Sequence, residues 1–230
     1  MQTNNRIILA VDELSLERCL ELVSKIGKRL CAVKIHNIYD QNGPEIVWKL
    51  KNAGASRVFV DAKLHDIPNT VRLRAKAIAD SGAEIITVHA SGGIEMMRVA
   101  VRAFPFEVFA VTVLTSLNIE QTHLIYGKSP KDVVLYLAKQ AKLAGCAGVV
   151  CSSKEVGILS KIPELRGLKF MVPGVRSLGK ALGDQSRVDT PVSAIKKGAT
   201  YIVVGREVTE DKDPVKAFLK IESEISEVCF

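Results

Sequence analysis

Eight short runs of β-branched and aromatic residues, separated by stretches with helical spacing, constrain this chain more than anything else in its sequence. They fall at residues 6–12, 30–35, 57–60, 84–89, 106–114, 148–151, 168–172 and 199–204. Each is apolar enough to be buried on both faces, which is the pattern of parallel strands covered by helices. Eight such strand-helix units in 230 residues predict an α/β fold, a closed (β/α)8 TIM barrel, with residues 1–230 forming a single domain. A doubly wound open sheet is the competing architecture. No linker, low-complexity segment or glycine pattern of the GxGxxG or Walker type interrupts the alternation.

The intervening segments carry helix punctuation. Ser15 reads as the cap of a helix with apolar positions Leu16, Cys19, Leu20, Val23 and Ile26. Pro44 sits at the start of a helix whose inward stripe is Ile46, Val47, Leu50 and Ala53. A third helix is expected over 69–81, closed by Gly82, and a fourth through Met97 and Val101. Residues 115–128 read as a long connection before a helix capped by Ser129, opened by Pro130 and stopped by Gly145. Shorter helices are expected from Ser153 and from Thr190-Pro191, and Asp213-Pro214 starts the terminal one.

Composition narrows the function classes. Hydrophobic residues make up 47% and charged residues 25%, which excludes a disordered chain. The five cysteines lack metal-type spacing and mostly lie in apolar patterns, so they read as reduced, buried residues of a cytoplasmic protein. No run resembles a signal peptide or a membrane span. A net charge of +7 favours an anionic partner, either nucleic acid or a phosphorylated metabolite.

Charge is concentrated where a barrel would use it. In the stretch Asp61-Ala62-Lys63-Leu64-His65-Asp66-Ile67-Pro68-Asn69-Thr70, Asp61 and Lys63 are two apart on a strand and project to one side. Asp66 follows where Pro68 should end the strand and seed a helix. Taken alone, Asp61 and Lys63 could be an ion pair that stiffens a turn. Asp12 and Lys34, however, lie late in the first two strands, and His89, Ser91, Thr115, Ser152 and Ser153 follow the next ones. In a barrel all of these face one mouth. Gln185 and Arg176 in the long 173–189 stretch, with Gly205 and Arg206 after the eighth strand, suit a phosphate site under a lid.

These residues, together with Val172-Pro173-Gly174-Val175-Arg176, Gly183-Asp184-Gln185-Ser186-Arg187-Val188 and Val204-Gly205-Arg206, resemble the orotidine 5′-phosphate decarboxylases of the bacterial type, in order along essentially the whole chain. The resemblance implies conversion of orotidine 5′-monophosphate to uridine 5′-monophosphate in de novo pyrimidine synthesis, without metal or organic cofactor. It implies Lys63 as proton donor to the ring carbon that loses carboxylate, with Asp61 and Asp66 flanking the departing group. Lys34, Asp61, Lys63 and Asp66 would form an alternating charge network. Asp12 and Lys34 would hold ribose hydroxyls, Thr115 the pyrimidine, and Gln185, Gly205 and Arg206 the phosphate. Ile67 and Arg176 match further ligand-binding positions. The resemblance also implies a homodimer, with Asp66 and Thr70 reaching the neighbouring subunit's site.

Two other readings are weighed against this one. Related barrels acting on sugar phosphates, 3-keto-gulonate 6-phosphate decarboxylase or hexulose-phosphate synthase, share the DxKxxD pattern but use magnesium and carry an acid where this chain has Lys34, which repels a divalent ion. A non-catalytic barrel that binds RNA or nucleotides would need exposed aromatics. Aromatic content is only 5%, so nucleic acid is not expected as a partner, and without a spanning apolar run neither is a membrane. His65 reads as a local hydrogen-bonding residue and His89 as a lining residue of the mouth. Trp48 reads as packing or interface, and Asn37 and Tyr39 are left open.

Overall fold

The computed structural model describes residues 6–177 and 189–228. Its eight strands, all parallel, close into a barrel in sequence order, with the first paired to the last. They are β1 (Ile7–Ala10), β2 (Ala32–Ile35), β3 (Val58–Leu64), β4 (Ile85–His89), β5 (Glu107–Val111), β6 (Gly148–Val150), β7 (Lys169–Pro173) and β8 (Tyr201–Val204). The helices are α1 (Leu16–Ile26), α2 (Asn37–Asn42), α3 (Glu45–Ala53), α4 (Pro68–Asp80), α5 (Gly93–Ala103), α6 (Ile119–Tyr126), α7 (Pro130–Ala144), α8 (Ser153–Leu159), α9 (Pro191–Lys196), α10 (Arg206–Thr209) and α11 (Pro214–Ser226). The closed barrel displaces the open sheet as the architecture of this sequence.

Local chemistry sets most of the boundaries. The Ser15 hydroxyl accepts the Arg18 N–H at 3.4 Å, and the Ser129 hydroxyl accepts that of Asp132 at 3.3 Å, as their positions predict. Pro68 takes the first turn of α4, where its missing N–H costs nothing. Gly145 ends α7 in the left-handed conformation. Three helices depart from the expectation, among them the four-residue α10 directly after Gly205. Residues 115–128 are not a plain connection, because α6 forms there behind a capping box in which Asn118 and Gln121 exchange hydrogen bonds. The six-residue α2 has no side-chain cap at all. The fifth strand is also shorter than its apolar run, since the chain leaves the ladder after Val111.

Two apolar layers result. Alternate strand residues face the helices and join one large cluster, while Ile8, Ala32, Phe59, Ile85, Phe109, Met171 and Val203 pack together inside the barrel. Seven strands thus send one buried side chain each to that inner layer, Cys31 joins it ahead of β2, and β6 presents Gly148, paired with Phe109, with Val150 packed against the layer. A Cβ there would overlap the Lys169 carbonyl oxygen and the Phe109 ring. Below this layer, at the amino ends of the strands, Glu107 accepts hydrogen bonds from Arg57 and Lys169, and the Lys169 ammonium lies 5.7 Å from the centre of the Tyr201 ring. The base of the barrel is therefore plugged by charge, and its mouth is the end left for chemistry. Trp48, expected to be packing or interface, is 66% exposed on α3, which sets aside the packing arm alone.

The inner layer yields a stability prediction. Gly148→Ala should destabilise the fold by about 1–3 kcal/mol through overpacking. Urea unfolding checks this, with the midpoint expected to fall while the denaturant slope holds.

Candidate active site

At the carboxyl ends of β1, β2 and β3 the structure joins four charges in a row. Lys34 Nζ lies 2.7 Å from Asp12 Oδ2 and 3.4 Å from Asp61 Oδ2, and Lys63 Nζ reaches the same Asp61 oxygen at 2.6 Å. One carboxylate oxygen is thereby shared by two ammonium groups. Asp61 is buried, whereas the side chain of Lys63 keeps 34% of its exposure and reaches the mouth. The other Asp61 oxygen accepts from the Thr87 hydroxyl at 2.7 Å.

Asp61 and Lys63 converge, but not by simple alternation along a flat strand. Lys63 is the one non-glycine residue with positive φ, +42°, among the described residues. An L side chain is strained there. The β3–β4 register shifts between Val60 and Leu64, so β3 bulges where its charges begin. The backbone is bent to bring Lys63 back over Asp61.

Burial pushes the Asp61 carboxyl up, but the Lys34 and Lys63 charges and the hydrogen bonds from Lys63 and Thr87 outweigh it, leaving the group at about 2 against an ordinary 3.8. It is an anion at any neutral pH. His36, not singled out in the sequence, ties this network together. Its N–H donates to Asp12 Oδ1, and its Nδ1 lies 2.8 Å from the Asp61 carbonyl oxygen. Since a carbonyl can only accept, that nitrogen carries the proton. His89 is held below its ordinary range by burial and by the charges of His65 and Lys63, and its ring centre lies 5.4 Å from that of His65. Both histidines sit beside the cluster and outside its ion pairs.

A cavity of about 200 Å³ opens on this row. Lys34, Asp61 and Lys63 form its charged wall, Phe59, Val111, Val150, Met171 and Val203 its apolar one, and Thr115 and Pro173 lie on its boundary. A flat ring with an anionic substituent suits such a space, with the ring against the hydrocarbon and the charge against the lysines. A larger cavity of about 390 Å³ lies outside the barrel between α1 and the start of α11, where Glu21 already pairs with Lys25. A third, of about 190 Å³, lies between α2 and α4 and takes Tyr39, which therefore faces that cavity and not the barrel mouth.

The remaining expected residues divide. Asp66 does not join the row within one chain: it is exposed, and its Oδ1 accepts the N–H of Ile67 at 2.6 Å. Among the described residues it forms no ion pair. Ile67 is 67% exposed and Thr70 is half-buried on α4. Arg176 follows β7, where its N–H donates to the Asp189 carbonyl at 2.9 Å and Val175 bridges Asp189, pinching together the chain on either side of 178–188. Gln185 lies outside the described residues. Gly205 leaves β8 beside Ala10, and the Arg206 Nε is 3.9 Å from Glu13. The Ser177 N–H donates to both carboxylate oxygens of Glu207, at 3.2 and 3.0 Å, which draws the neighbours of Arg176 and Arg206 together.

Fold and site together define a (β/α)8 barrel with its charged groups gathered at the carboxyl mouth over an apolar cavity. The chain belongs to the orotidine 5′-phosphate decarboxylase / HUMPS family, whose sequence model matches residues 5–221. It is 39% identical to a protein of Pseudoalteromonas translucida called orotidine 5′-phosphate decarboxylase, over 97% of this chain and 98% of that one. A protein of the same name from Saccharophagus degradans is 40% identical over 96% of this chain and 95% of its own. Among solved structures, orotidine 5′-phosphate decarboxylase from Lactobacillus acidophilus superposes with a TM-score of 0.79 at 32% identity, covering 96% of this chain and 99% of that one.

The depressed Asp61 carboxyl gives a signed prediction. Its contribution to stability is full above its unfolded value near 3.8 and is lost as pH falls through its folded value of about 2. The stability difference between wild type and Asp61→Asn should therefore shrink by roughly 2 kcal/mol between pH 5 and pH 2. Denaturant unfolding across that range reads it directly.

Proposed function

We propose that this protein is an enzyme that decarboxylates orotidine 5′-monophosphate to uridine 5′-monophosphate in pyrimidine biosynthesis, working in the cytoplasm as one barrel domain. Family membership and the names of its relatives support the reaction. The observation that carries the mechanism is the Asp61 carboxylate held 2.6 Å from the Lys63 ammonium on the wall of an otherwise apolar cavity.

In the step proposed, the bond between the ring carbon and its carboxylate breaks, carbon dioxide leaves, and the electron pair stays on the ring carbon. Lys63 gives a proton to that carbon and is later reprotonated from solvent. An ammonium already aimed at the carbon stabilises charge as it develops and needs no reorientation at the moment of reaction. Asp61 fixes that ammonium, and Lys34 keeps Asp61 anchored from its other side. Asp12 and Lys34 would take the ribose hydroxyls and Thr115 the pyrimidine edge. Arg176, Gly205, Arg206 and Gln185 would take the phosphate, whose binding energy orients the distant ring.

The donor set argues against the magnesium-dependent reading. Lys34 places a cation between the two carboxylates, Asp12 and Asp61, that a divalent ion would need. No helix among the described residues is long and apolar enough to cross a membrane.

Asp66 and Ile67, just before α4, are exposed, Thr70 on its first turn is half-buried, and Leu73 on the same helix is 53% exposed. In the proposed homodimer a second copy covers this face, and Asp66 and Thr70 complete the partner's site.

Loss of the orotate-ring absorbance in a metal-free assay tests the reaction, and Lys63→Ala should lower kcat by at least about a thousandfold. A fully active alanine variant would remove the mechanism. The shared site is tested by mixing subunits. Lys63→Ala and Asp66→Asn should each be nearly inactive alone. Co-expressed in equal amounts they should recover about a quarter of wild-type activity, since half of the dimers then hold one intact site.

A further inference from the structure

Opposite the bulge in β3 lies Thr87, which the proposed reaction does not use directly. Val60 pairs with Ile86 and Leu64 with Val88, so Asp61, Ala62 and Lys63 all face Thr87 alone. A parallel ladder cannot satisfy three residues with one, and the Lys63 N–H is left without a regular strand partner. The Thr87 hydroxyl supplies one. Its oxygen accepts the Lys63 N–H at 3.0 Å, and its proton goes to Asp61 Oδ1 at 2.7 Å. Thr87 is 1% exposed, so water cannot substitute on that side.

One hydroxyl therefore spans the two ends of the strained turn. It holds the backbone of Lys63 at φ +42° and, through the other bond, holds the carboxylate that grips the Lys63 side chain. We infer that Thr87 is a positioning residue for the decarboxylation, acting by locking the Lys63 backbone and the Asp61 carboxylate into one geometry. The inference rests on the proposed function. Thr87 need not touch substrate; it fixes where the proton donor stands. Valine has the same shape and no hydroxyl. It would leave a buried N–H and a buried carboxylate oxygen each one partner short and free Lys63 to relax toward an ordinary backbone conformation.

The test compares Thr87→Val and Thr87→Ser for kcat, KM, the pH profile of kcat and thermal melting. Thr87→Val should lower kcat about 10- to 100-fold, while KM moves less than about threefold. The acid limb of its kcat profile should move to higher pH, because Asp61 has lost a donor to its charged form. Thr87→Ser keeps the hydroxyl and should return kcat to within about threefold of wild type. A merely structural threonine would lower the melting temperature without moving the acid limb. The inference is overturned if Thr87→Val stays within about fivefold of wild type in kcat, or if Thr87→Ser is as impaired as Thr87→Val. Should Thr87→Val not fold, Thr87→Ala carries the same comparison. A wild-type protein inert toward orotidine monophosphate would sink the proposed function instead. A crystal structure of Thr87→Val separates the two failures: Lys63 unchanged in φ overturns the inference whatever the substrate, and Lys63 relaxed supports the locking of its backbone by Thr87.

Discussion

Everything at the mouth of this barrel depends on one buried carboxylate being shared by two lysines. An isolated aspartate at the position of Asp61 would be driven toward neutrality by burial. Two ammonium groups and a hydroxyl reverse that pressure and keep the charge. Cause and effect run in a circle here. The lysines hold Asp61 ionised, and the ionised Asp61 stops them from drifting apart or turning out into water. Compared with well-packed apolar side chains of the same volume, such a cluster gains little stability, because each charge has been withdrawn from water. What it gains is fixed direction, which an ammonium that must meet developing charge needs more than it needs stability.

The barrel makes that direction possible. Parallel strands deliver side chains from β1, β2 and β3 to one level, so Asp12, Lys34 and Asp61 meet although they are far apart in sequence. Lys63 would overshoot on a flat strand, and the bulge with its left-handed residue returns it. Strain at a functional residue persists only where its surroundings insist on it. Here the surroundings are Thr87 across the ladder and the carboxylate two residues back.

Much of this was legible in the sequence, and the exceptions have physical reasons. The barrel could be read because eight buried runs alternate with capped helical segments, and buried parallel strands leave few other arrangements. The row of charges could be read because Asp61 and Lys63 interrupt an apolar run where a strand should end. The bulge could not, because plain alternation already puts those two residues on one side and so hides the departure from it. Thr87 looked like any β-branched strand residue. His36 stood between the second strand and a helix that the sequence did not announce, and its role comes from a backbone N–H as much as from its ring. The capping box at Asn118 and Gln121 was a readable signal for α6, whereas α2 offered no cap and few strong helix formers. Asp66 belongs to the motif but not to the row, because within this chain it is exposed and caps the Ile67 N–H.

The apolar layer between the two charged ends of the barrel has a consequence for how the molecule tolerates change. Phe59, Phe109, Met171 and their neighbours act as insulation between the Glu107 plug below and the Asp61 row above. The two groups share no side chain and no hydrogen bond among the described residues. Substitutions at opposite poles should therefore combine additively. The lower pole can be rebuilt for heat resistance while the reactive pole keeps its tuning, so selection can act on durability and on turnover as separate traits.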